Sequence, residues 1–298
     1  MRVAFLGLGA MGRPMAANLA RHHETWVYNR TAAVARAHAA AHGTSVAADL
    51  AEVALCGPQV VATCLPTTVE VAAVAEQLLD SLRPGTVWLD HTSGDPQATR
   101  ELADRCAARD VALLDAPVSG GTDGAAAGTL TVMVGGDGAA LGRVSAVLDA
   151  VAGRVVHVGP SGAGMAVKAV NNALLATSLR AAAEGLVALR ASGVATSTAL
   201  EVINASSGRS FATERLLPER VVPRTFPRTF SLGLLAKDVG LAAGVVRTAG
   251  LQAPVLDLVD ELTRAAADSR GGAVDHTELV RMVEDAAGLE LGGDEERT

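Results

Sequence analysis

The sequence predicts an α/β protein with an N-terminal doubly wound parallel sheet followed by an all-α C-terminal domain. Short apolar runs alternate with helical segments over about the first 160 residues, which is typical of βαβ units with helices on both faces of a sheet. The glycine pattern G-x-G-x-x-G follows the first of these runs. After Pro160 the chain has one long helical segment and then further helical segments.

The predicted elements of the first domain follow in chain order. Apolar runs that end at glycine, proline or a polar residue predict strands over 2–8, 25–30, 60–66, 85–92, 111–118, 129–136 and 154–159. The segments between them predict helices over 11–23, 32–41, 68–82 and 96–110, with a further helix between the last two strands. This alternation predicts a first domain of residues 1–160.

The stretch after Pro160 predicts an unusually long helix. Residues 161–192 contain little that would break a helix beyond their opening glycines, and about 30 residues at 1.5 Å each give roughly 45 Å. A helix of this length suits a link between domains or subunits. We therefore expect an all-helical domain over 161–298 that forms a homodimer or homotetramer, with a frayed acidic end at 288–298.

The composition excludes several classes of protein. Of the 298 residues, 49% are hydrophobic and only 2% aromatic, so the core is built mainly from Ala, Val and Leu. A net charge of −7 argues against a nucleic-acid partner, and no apolar run is long enough to span a membrane. Three separated cysteines without a CxxC pair suit the cytoplasm. The seven histidines show no metal-ligand spacing, so we expect no metal.

The G-x-G-x-x-G pattern, here GLGAMG, predicts a dinucleotide site because it follows a strand and opens a helix, the context of a Rossmann fold. Gly7 permits the tight turn, Gly9 lets the backbone approach a pyrophosphate, and Gly12 lets helix and strand pack closely. The helix N-terminus adds N–H groups and a partial positive charge, so Ala10 and Met11 belong to the predicted site. The alternative is a glycine-rich turn without a ligand.

The end of the second strand favours NADP(H) as the cofactor, with NAD(H) possible. Folds selective for NAD usually place Asp or Glu here to bind the ribose hydroxyls, whereas this chain has Asn29, Arg30 and Thr31. An arginine attracts a 2′-phosphate and a threonine can donate to it, while a carboxylate would repel it. The alternative is that Arg30 is a solvated loop charge and both cofactors are accepted.

Four segments resemble, in order, the signatures of the β-hydroxyacid dehydrogenases within the 6-phosphogluconate dehydrogenase superfamily. They are FLGLGAMGRPMAANLA (5–20), DAPVSGGTDGAAAGTLTVMVGG (115–136), GAGMAVKAVNN (162–172) and FSLGLLAKDVGLA (230–242). That family includes 3-hydroxyisobutyrate dehydrogenase and the glyoxylate, succinic semialdehyde and tartronate semialdehyde reductases. The resemblance extends over most of the chain and implies an NAD(P)-dependent oxidoreductase acting on a short 3-hydroxy carboxylate or its semialdehyde.

The resemblance also implies cofactor contacts outside the glycine turn. Leu65 and Pro66, in the segment CLP, would line the cofactor. Ser93, in DHTSGDP, would lie beside the nicotinamide half, at a position where the family usually has threonine. Lys237 would reach back to the cofactor, with Asp238 beside it.

For the substrate, the resemblance implies that Ser119, Gly120 and Gly121 bind a carboxylate, that Lys168 is the catalytic lysine and that Asn172 is its partner. A hydroxyl and unobstructed backbone N–H groups suit a small carboxylate, although the same segment could be an idle flexible loop.

Hydride transfer is cofactor chemistry, which leaves the protein one proton to move. Burial can bring the pKa of a lysine toward neutrality, whereas an arginine stays protonated. Lys168 is the only lysine among the first 236 residues, and Asn172 lies on the same helix face at i+4. The alternative is a lysine that extends along the helix surface to solvent.

Two other functions remain open. An imine reductase would share the fold and cofactor but usually has Asp or Tyr where this chain has Lys168. A non-catalytic dinucleotide-binding module of the same fold tends to lose this lysine. The segment NASSGRSF (204–211) either contributes Arg209 or a serine to the substrate pocket, or forms a turn that caps a helix.

Overall fold

A nine-stranded sheet forms the first part of the chain, in a computed structural model that describes residues 1–292. The strands of the described residues are β1 (Arg2–Leu6), β2 (Glu24–Tyr28), β3 (Ser45–Val46), β4 (Val60–Thr63), β5 (Val87–Asp90), β6 (Ala112–Asp115), β7 (Val118–Ser119), β8 (Leu130–Gly135) and β9 (Ala152–Gly159). The helices of this part are α1 (Gly12–Ala20), α2 (Ala32–His42), α3 (Leu50–Leu55), α4 (Thr68–Leu78), α5 (Pro96–Ala107), α6 (Gly121–Ala127) and α7 (Gly138–Asp149).

The second part of the chain is helical as far as residue 287, as the sequence predicts. Its elements are α8 (Ala163–Ala191), α9 (Thr196–Asn204), a π-helix (Ala212–Val221), α10 (Leu232–Thr248), α11 (Pro254–Arg270), a 3₁₀ turn (His276–Val280) and α12 (Arg281–Ala287). The long helix α8 is thus close to the predicted 161–192. Among the described residues, no helix is long and apolar enough to cross a membrane.

The sheet is parallel over six strands, in the order β3-β2-β1-β4-β5-β6. Beyond β6 the direction reverses, because β8 pairs antiparallel with both β6 and β7, and β9 then pairs parallel with β8. The fold class is therefore confirmed, with an antiparallel edge that the sequence did not predict. The carboxyl ends of β1, β4, β5 and β6 lie at one edge of the sheet, where ligands bind in open α/β folds.

Alternate residues along the central strands enter two different cores. In β1, Val3 and Phe5 belong to one buried cluster, while Ala4 and Leu6 belong to another. The same alternation separates Trp88 of β5 from its neighbours on either side. Side chains alternate faces along a strand, so both faces of the sheet are covered by helices, as in a doubly wound fold.

Three details of the first part differ from the sequence prediction. The short strand β3 and helix α3 lie in a stretch for which the sequence predicted no element. The small-residue segment after β6 was expected to be a loop, but it contains β7 and α6. The strand predicted over 111–118 therefore ends at Asp115, and a separate short strand begins at Val118.

The chain divides into two compact units within α8, with Met1–Lys168 in the first and residues from Ala169 onwards in the second. The sequence placed the boundary near residue 160, at the glycines before the helix. In the second unit, buried residues form two clusters, one around Leu179 and Leu217 and the other around Ala173 and Val239.

The predicted frayed end is anchored where the structure describes it. Leu291 is fully buried, and its N–H donates to Glu284 Oε1 at 2.7 Å. The prediction is therefore wrong for residues 288–292, because an apolar anchor lies among the glycines. Residues 293–298 lie outside the described residues.

Candidate active site

The glycine turn between β1 and α1 has a backbone that other residues would strain. Gly7 has φ +99°, and a Cβ there would clash with the carbonyl oxygen of Cys64. A Cβ on Gly12 would clash with the carbonyl oxygen of Gly7 and lie 3.0 Å from the Phe5 ring. These two glycines therefore have the close approaches that the sequence pattern predicts for the turn and for helix packing.

The middle of the turn is open and suits a phosphate. A Cβ built on Gly9 meets no atom within 4 Å, and Gly9 and Ala10 are both exposed. The side chain of Met11, the N-cap residue of α1, makes no capping hydrogen bond. The first N–H groups of a helix need acceptors from outside the helix, and a pyrophosphate is such an acceptor. The residues present thus fit a dinucleotide.

Asn29 ties the end of β2 to the glycine turn. Its Oδ1 accepts from the backbone N–H of Leu8 at 3.0 Å, and its Nδ2 donates to the carbonyl oxygen of Thr31 at 3.2 Å. Both ends of the amide are thus engaged within the chain. Arg30 and Thr31 are exposed at the surface beside it. A direct contact of Asn29 with the cofactor stays a prediction, and the observed contacts give this residue a role in shaping the turn.

The loops after β4 and β5 are joined by hydrogen bonds. The N–H of Leu65 donates to Thr92 Oγ1 at 3.1 Å, and the side chain of Leu65 lies against Gly7. Pro66 is exposed and Ser93 is half-buried. The positions of Leu65, Pro66 and Ser93 at the carboxyl edge of the sheet are consistent with their predicted roles, which stay predictions.

A buried carboxylate that the sequence prediction missed organises these loops. Asp90 Oδ1 accepts from Thr63 Oγ1 at 2.8 Å and from the N–H of Thr92 at 3.1 Å. Burial raises the pKa of Asp90 to about 6, while these hydrogen bonds act in the opposite direction. The signal in the sequence was an aspartate at the end of an otherwise apolar strand.

The Ser-Gly-Gly segment is held by sheet pairing and by glycine-specific backbone angles. Ser119 of β7 pairs with Thr131 of β8. Gly120 has φ +133°, and a Cβ there would lie only 3.1 Å from Leu130 Cδ2, while Gly121 has φ +64° at the start of α6. The segment is therefore an ordered turn. Its hydroxyl and backbone N–H groups are hydrogen-bond donors of the kind that bind a carboxylate.

Lys168 and Asn172 lie one turn apart on α8, as the sequence predicts. Lys168 is half-buried and Asn172 is buried. The Asn172 amide donates from Nδ2 to Asp238 Oδ2 at 2.6 Å and accepts at Oδ1 from Asn171 Nδ2 at 3.2 Å. Asn171 thus contacts the amide of its neighbour.

Asp238 joins two of the predicted site residues in the second unit. It is almost fully buried, contacts Asn172 through one oxygen and lies 2.9 Å from Lys237 Nζ through the other. A buried carboxylate needs such partners, because an unpaired charge in the interior is costly. Lys237 is therefore anchored beside Asp238, and its reach to the cofactor stays a prediction.

The segment 204–211 contains the contacts of a helix-capping turn. The N–H of Thr213 donates to Ser210 Oγ at 3.2 Å, and the N–H of Ser210 donates to Thr213 Oγ1 at 2.9 Å. Arg209 is exposed and lies 3.8 Å from Glu214. A contribution to the substrate pocket stays a prediction. Within residues 1–292, no group of three His, Cys, Asp or Glu residues is arranged to hold a metal ion.

Comparison with known proteins gives matches over nearly the whole chain. Residues 2–159 match the family described as the NAD binding domain of 6-phosphogluconate dehydrogenase. Residues 162–283 match the family described as NAD-binding of NADP-dependent 3-hydroxyisobutyrate dehydrogenase. Both halves of the fold are therefore covered by family models.

Individual relatives are similar over nearly their full length. The 2-(hydroxymethyl)glutarate dehydrogenase of Eubacterium barkeri is 34% identical over 304 residues, covering 98% of each chain. The NAD-dependent L-serine dehydrogenase of Pseudomonas aeruginosa is 37% identical over 273 residues, covering 88% of this chain and 91% of that protein. The structure of Mycobacterium tuberculosis 3-hydroxyisobutyrate dehydrogenase with L-serine has a TM-score of 0.87 at 34% identity, covering 95% of this chain and 98% of that chain.

The Rossmann-type sheet, the open glycine turn and these matches define an oxidoreductase that uses a nicotinamide dinucleotide. The chain belongs to the β-hydroxyacid dehydrogenase family. The resemblance seen in its four sequence segments is thereby confirmed.

Proposed function

We propose that this enzyme interconverts a short 3-hydroxy carboxylate and its semialdehyde, with Lys168 as the general acid/base. The observation that carries the proposal is the half-buried Lys168 on α8, one turn before the buried Asn172, in a chain that otherwise uses arginine almost throughout. Family membership indicates that the reaction is an oxidation or reduction with a nicotinamide dinucleotide. In this proposal, Lys168 transfers the proton that accompanies the hydride.

The names of the relatives support the substrate class. L-serine, 3-hydroxyisobutyrate and 2-(hydroxymethyl)glutarate all have a primary alcohol on the carbon next to the one that carries a carboxylate. Oxidation of that alcohol gives an aldehyde separated from the carboxylate by one carbon. We therefore expect one anchor for the carboxylate and one proton acceptor for the hydroxyl.

In the proposed mechanism, the Ser119 hydroxyl and the backbone N–H groups of Gly120 and Gly121 bind the substrate carboxylate. The bound dinucleotide supplies the hydride chemistry. Lys168 accepts the proton of the substrate hydroxyl during oxidation and returns it to the carbonyl oxygen during reduction. Asn172, fixed by Asp238, keeps the next turn of α8 polar and ordered.

We propose NADP(H) as the preferred cofactor. At the end of β2 the chain presents an exposed arginine and threonine, and no carboxylate follows Tyr28 directly. Arg30 supplies the positive charge that a 2′-phosphate requires, and Thr31 supplies a hydroxyl donor. Asn29 shapes the turn without the charge that would repel a phosphate.

The proposal is tested by absorbance at 340 nm with NADPH or NADP and a panel of 3-hydroxy acids, semialdehydes, glyoxylate and cyclic imines. We expect turnover of the hydroxy acids or semialdehydes. Lys168→Ala and Lys168→Arg should each lower kcat by about 10²- to 10⁴-fold, the contribution typical of a general acid/base, while cofactor binding persists. Arg180→Ala, which removes a partly buried positive charge further along α8, is the matched control and should retain turnover.

Three outcomes would contradict the proposal. An arginine variant with near-normal kcat would exclude proton transfer by Lys168. Turnover of imines alone would indicate an imine reductase. Tight NADPH binding without turnover of any compound in the panel would indicate a non-catalytic module.

A further inference from the structure

Asp115 is a fully buried carboxylate that the proposed mechanism leaves without a role. It is the last residue of β6, and in the sheet it is the register partner of Asp90 in β5. A buried carboxylate is retained only where strong hydrogen bonds offset its loss of water. Its contacts therefore indicate what it does.

Both oxygens of Asp115 accept hydrogen bonds from the start of α8. Oδ1 accepts from the N–H of Gly162 at 2.8 Å, and Oδ2 accepts from the N–H of Met165 at 3.0 Å. These are N–H groups that a helix cannot satisfy internally, and the helix dipole favours a negative charge at this end. Asp115 thus caps the N-terminus of α8 with its carboxylate, although it belongs to a strand about 50 residues earlier in the chain.

Glycines on both sides make room for this contact. A Cβ on Gly135 would lie 2.6 Å from Asp115 Oδ1, and a Cβ on Gly164 would lie 2.8 Å from Asp115 Oδ2. A Cβ on Gly164 would also clash with the carbonyl oxygen of Met133. The first turn of α8 therefore packs closely against the ends of β6 and β8, with the Asp115 carboxylate in the contact.

We propose that Asp115 is a positioning residue, whose carboxylate fixes the first turns of α8, and with them Lys168, against the sheet edge that carries Ser119–Gly121. This inference rests on the proposed function, in which Lys168 moves the proton. Met165 and Lys168 are i and i+3 on the helix, so they lie on neighbouring parts of one face. The turn that Asp115 caps therefore determines where the lysine stands.

The segment proposed to bind the substrate, Ser119–Gly121, is attached to the sheet independently of Asp115. An effect on the position of α8 can therefore be separated from an effect on substrate binding. Val118 and Ser119 pair with Val132 and Thr131 of β8. Loss of the Asp115 contact should release the helix while this pairing holds the segment. Burial raises the pKa of Asp115, and the N–H groups of Gly162 and Met165 oppose that rise by stabilising the ionised form.

The test is Asp115→Asn, compared with Asp137→Asn. Asp137 is also a helix cap that uses both oxygens, for Ala139 and Ala140 of α7, a helix without site residues. In the Asp115 variant, the amide can accept one N–H but presents its NH₂ to the other. We expect kcat to fall at least about tenfold, since misplacement by 1 Å can cost about 10²-fold, while KM and the Kd of NADPH change less than about threefold. At assay temperatures well below its melting temperature, the Asp137→Asn variant should keep the kcat of the wild-type protein.

Hydrogen exchange gives a readout that does not depend on activity. The amides of Gly162 and Met165 should both exchange slowly in the wild-type protein, and at least one of them should exchange rapidly in Asp115→Asn, because asparagine keeps only one acceptor oxygen. If Asp115→Asn fails to fold, Gly164→Ala, whose methyl would push α8 off the carboxylate, should produce the same fall in kcat with KM retained. Rapid exchange of both amides in the wild-type protein would overturn the proposal.

The two proposals fail in different ways. A wild-type protein that turns over none of the panel would refute the proposed function. A wild-type protein with turnover and an Asp115→Asn variant with equal kcat would refute the role of Asp115 alone. A parallel rise of KM and fall of kcat in both aspartate variants would indicate general destabilisation and would likewise overturn it.

Discussion

Lysine is rare in this chain, and both lysines stand at candidate site residues. Of the 25 lysine and arginine residues, only Lys168 and Lys237 are lysines. Lys237 lies beside the buried Asp238, whereas surface ion pairs such as Arg247 with Asp257 use arginine. A lysine can lose its proton and has a compact head group, while a guanidinium stays charged. This usage agrees with the role proposed for Lys168 and with the cofactor contact predicted for Lys237.

At Arg30 we predict a change in cofactor preference. Arg30→Ala removes the only positive side chain of the Asn29–Thr31 segment, and a charge-assisted contact with a phosphate is worth about 1.5–3 kcal/mol. The Kd of NADPH should therefore rise by about tenfold or more, while the Kd of NADH stays nearly constant. Fluorescence titration with both cofactors measures this. Arg36→Ala, an exposed arginine of α2, is the control, and an equal loss for both cofactors would contradict the prediction.

At Asp90 we predict a pH-dependent stability. The pKa of Asp90 is about 6 in the folded protein and near its ordinary 3.8 in the unfolded chain. Between these pH values the folded state binds the proton of Asp90 more tightly than the unfolded state does. The contribution of Asp90 therefore lowers the free energy of unfolding as pH rises from about 4 to 6. Above pH 6 this loss of stability stays at its full size. Asp90→Asn removes that cost and keeps an acceptor oxygen for Thr63 and Thr92.

Relative to the wild type, Asp90→Asn should therefore gain stability as pH rises from 4 to 7. One pKa unit corresponds to about 1.4 kcal/mol, which bounds the gain at on the order of 3 kcal/mol. Urea unfolding of both proteins at several pH values in this range measures the difference. A difference between the two proteins that does not vary with pH would show that Asp90 does not titrate in this window.

At the scale of elements, periodicity predicted the long segments and missed the short ones. The apolar runs of β1, β4 and β5 are buried on both faces, so hydrophobicity alone identifies them. By contrast β3 and β7 have two residues each, and α6 consists of glycine, alanine and polar residues. Their structure comes from pairing and packing with distant parts of the chain, which a local pattern does not contain.

The candidate site divides in the same way. The sequence could predict the close approaches of Gly7 and Gly12, because the backbone requirement belongs to a local motif. The catalytic role of Lys168 comes from a local motif too and stays a prediction. It could not predict the hydrogen bonds of Asp90 and Asp115, since their partners are set by which strand ends lie side by side. The antiparallel β8 is a further example, because direction within a sheet depends on topology and not on apolar content.

At the scale of the whole molecule, exposed apolar side chains are concentrated in the second unit. Among the described residues, eight large hydrophobic side chains from Ala169 onwards are at least about one-third exposed, against four in Met1–Lys168. Val255 and Leu258 lie on one face of α11, 61% and 55% exposed, with Leu251 just before that helix. Apolar side chains clustered in this way are typical of surfaces that another chain covers.

We therefore predict a homodimer or homotetramer that assembles through the helical domain. Light scattering should give a mass of two or four times the 30.1 kDa chain. The double variant Val255→Asp/Leu258→Asp should shift this mass toward the monomer, because burying two carboxylates in an apolar interface is costly. Leu55→Asp, at an 81% exposed position of α3 in the first unit, is the matched control and should keep the wild-type mass. A monomeric wild-type protein would refute assembly, and an unchanged mass in the double variant would place the interface elsewhere.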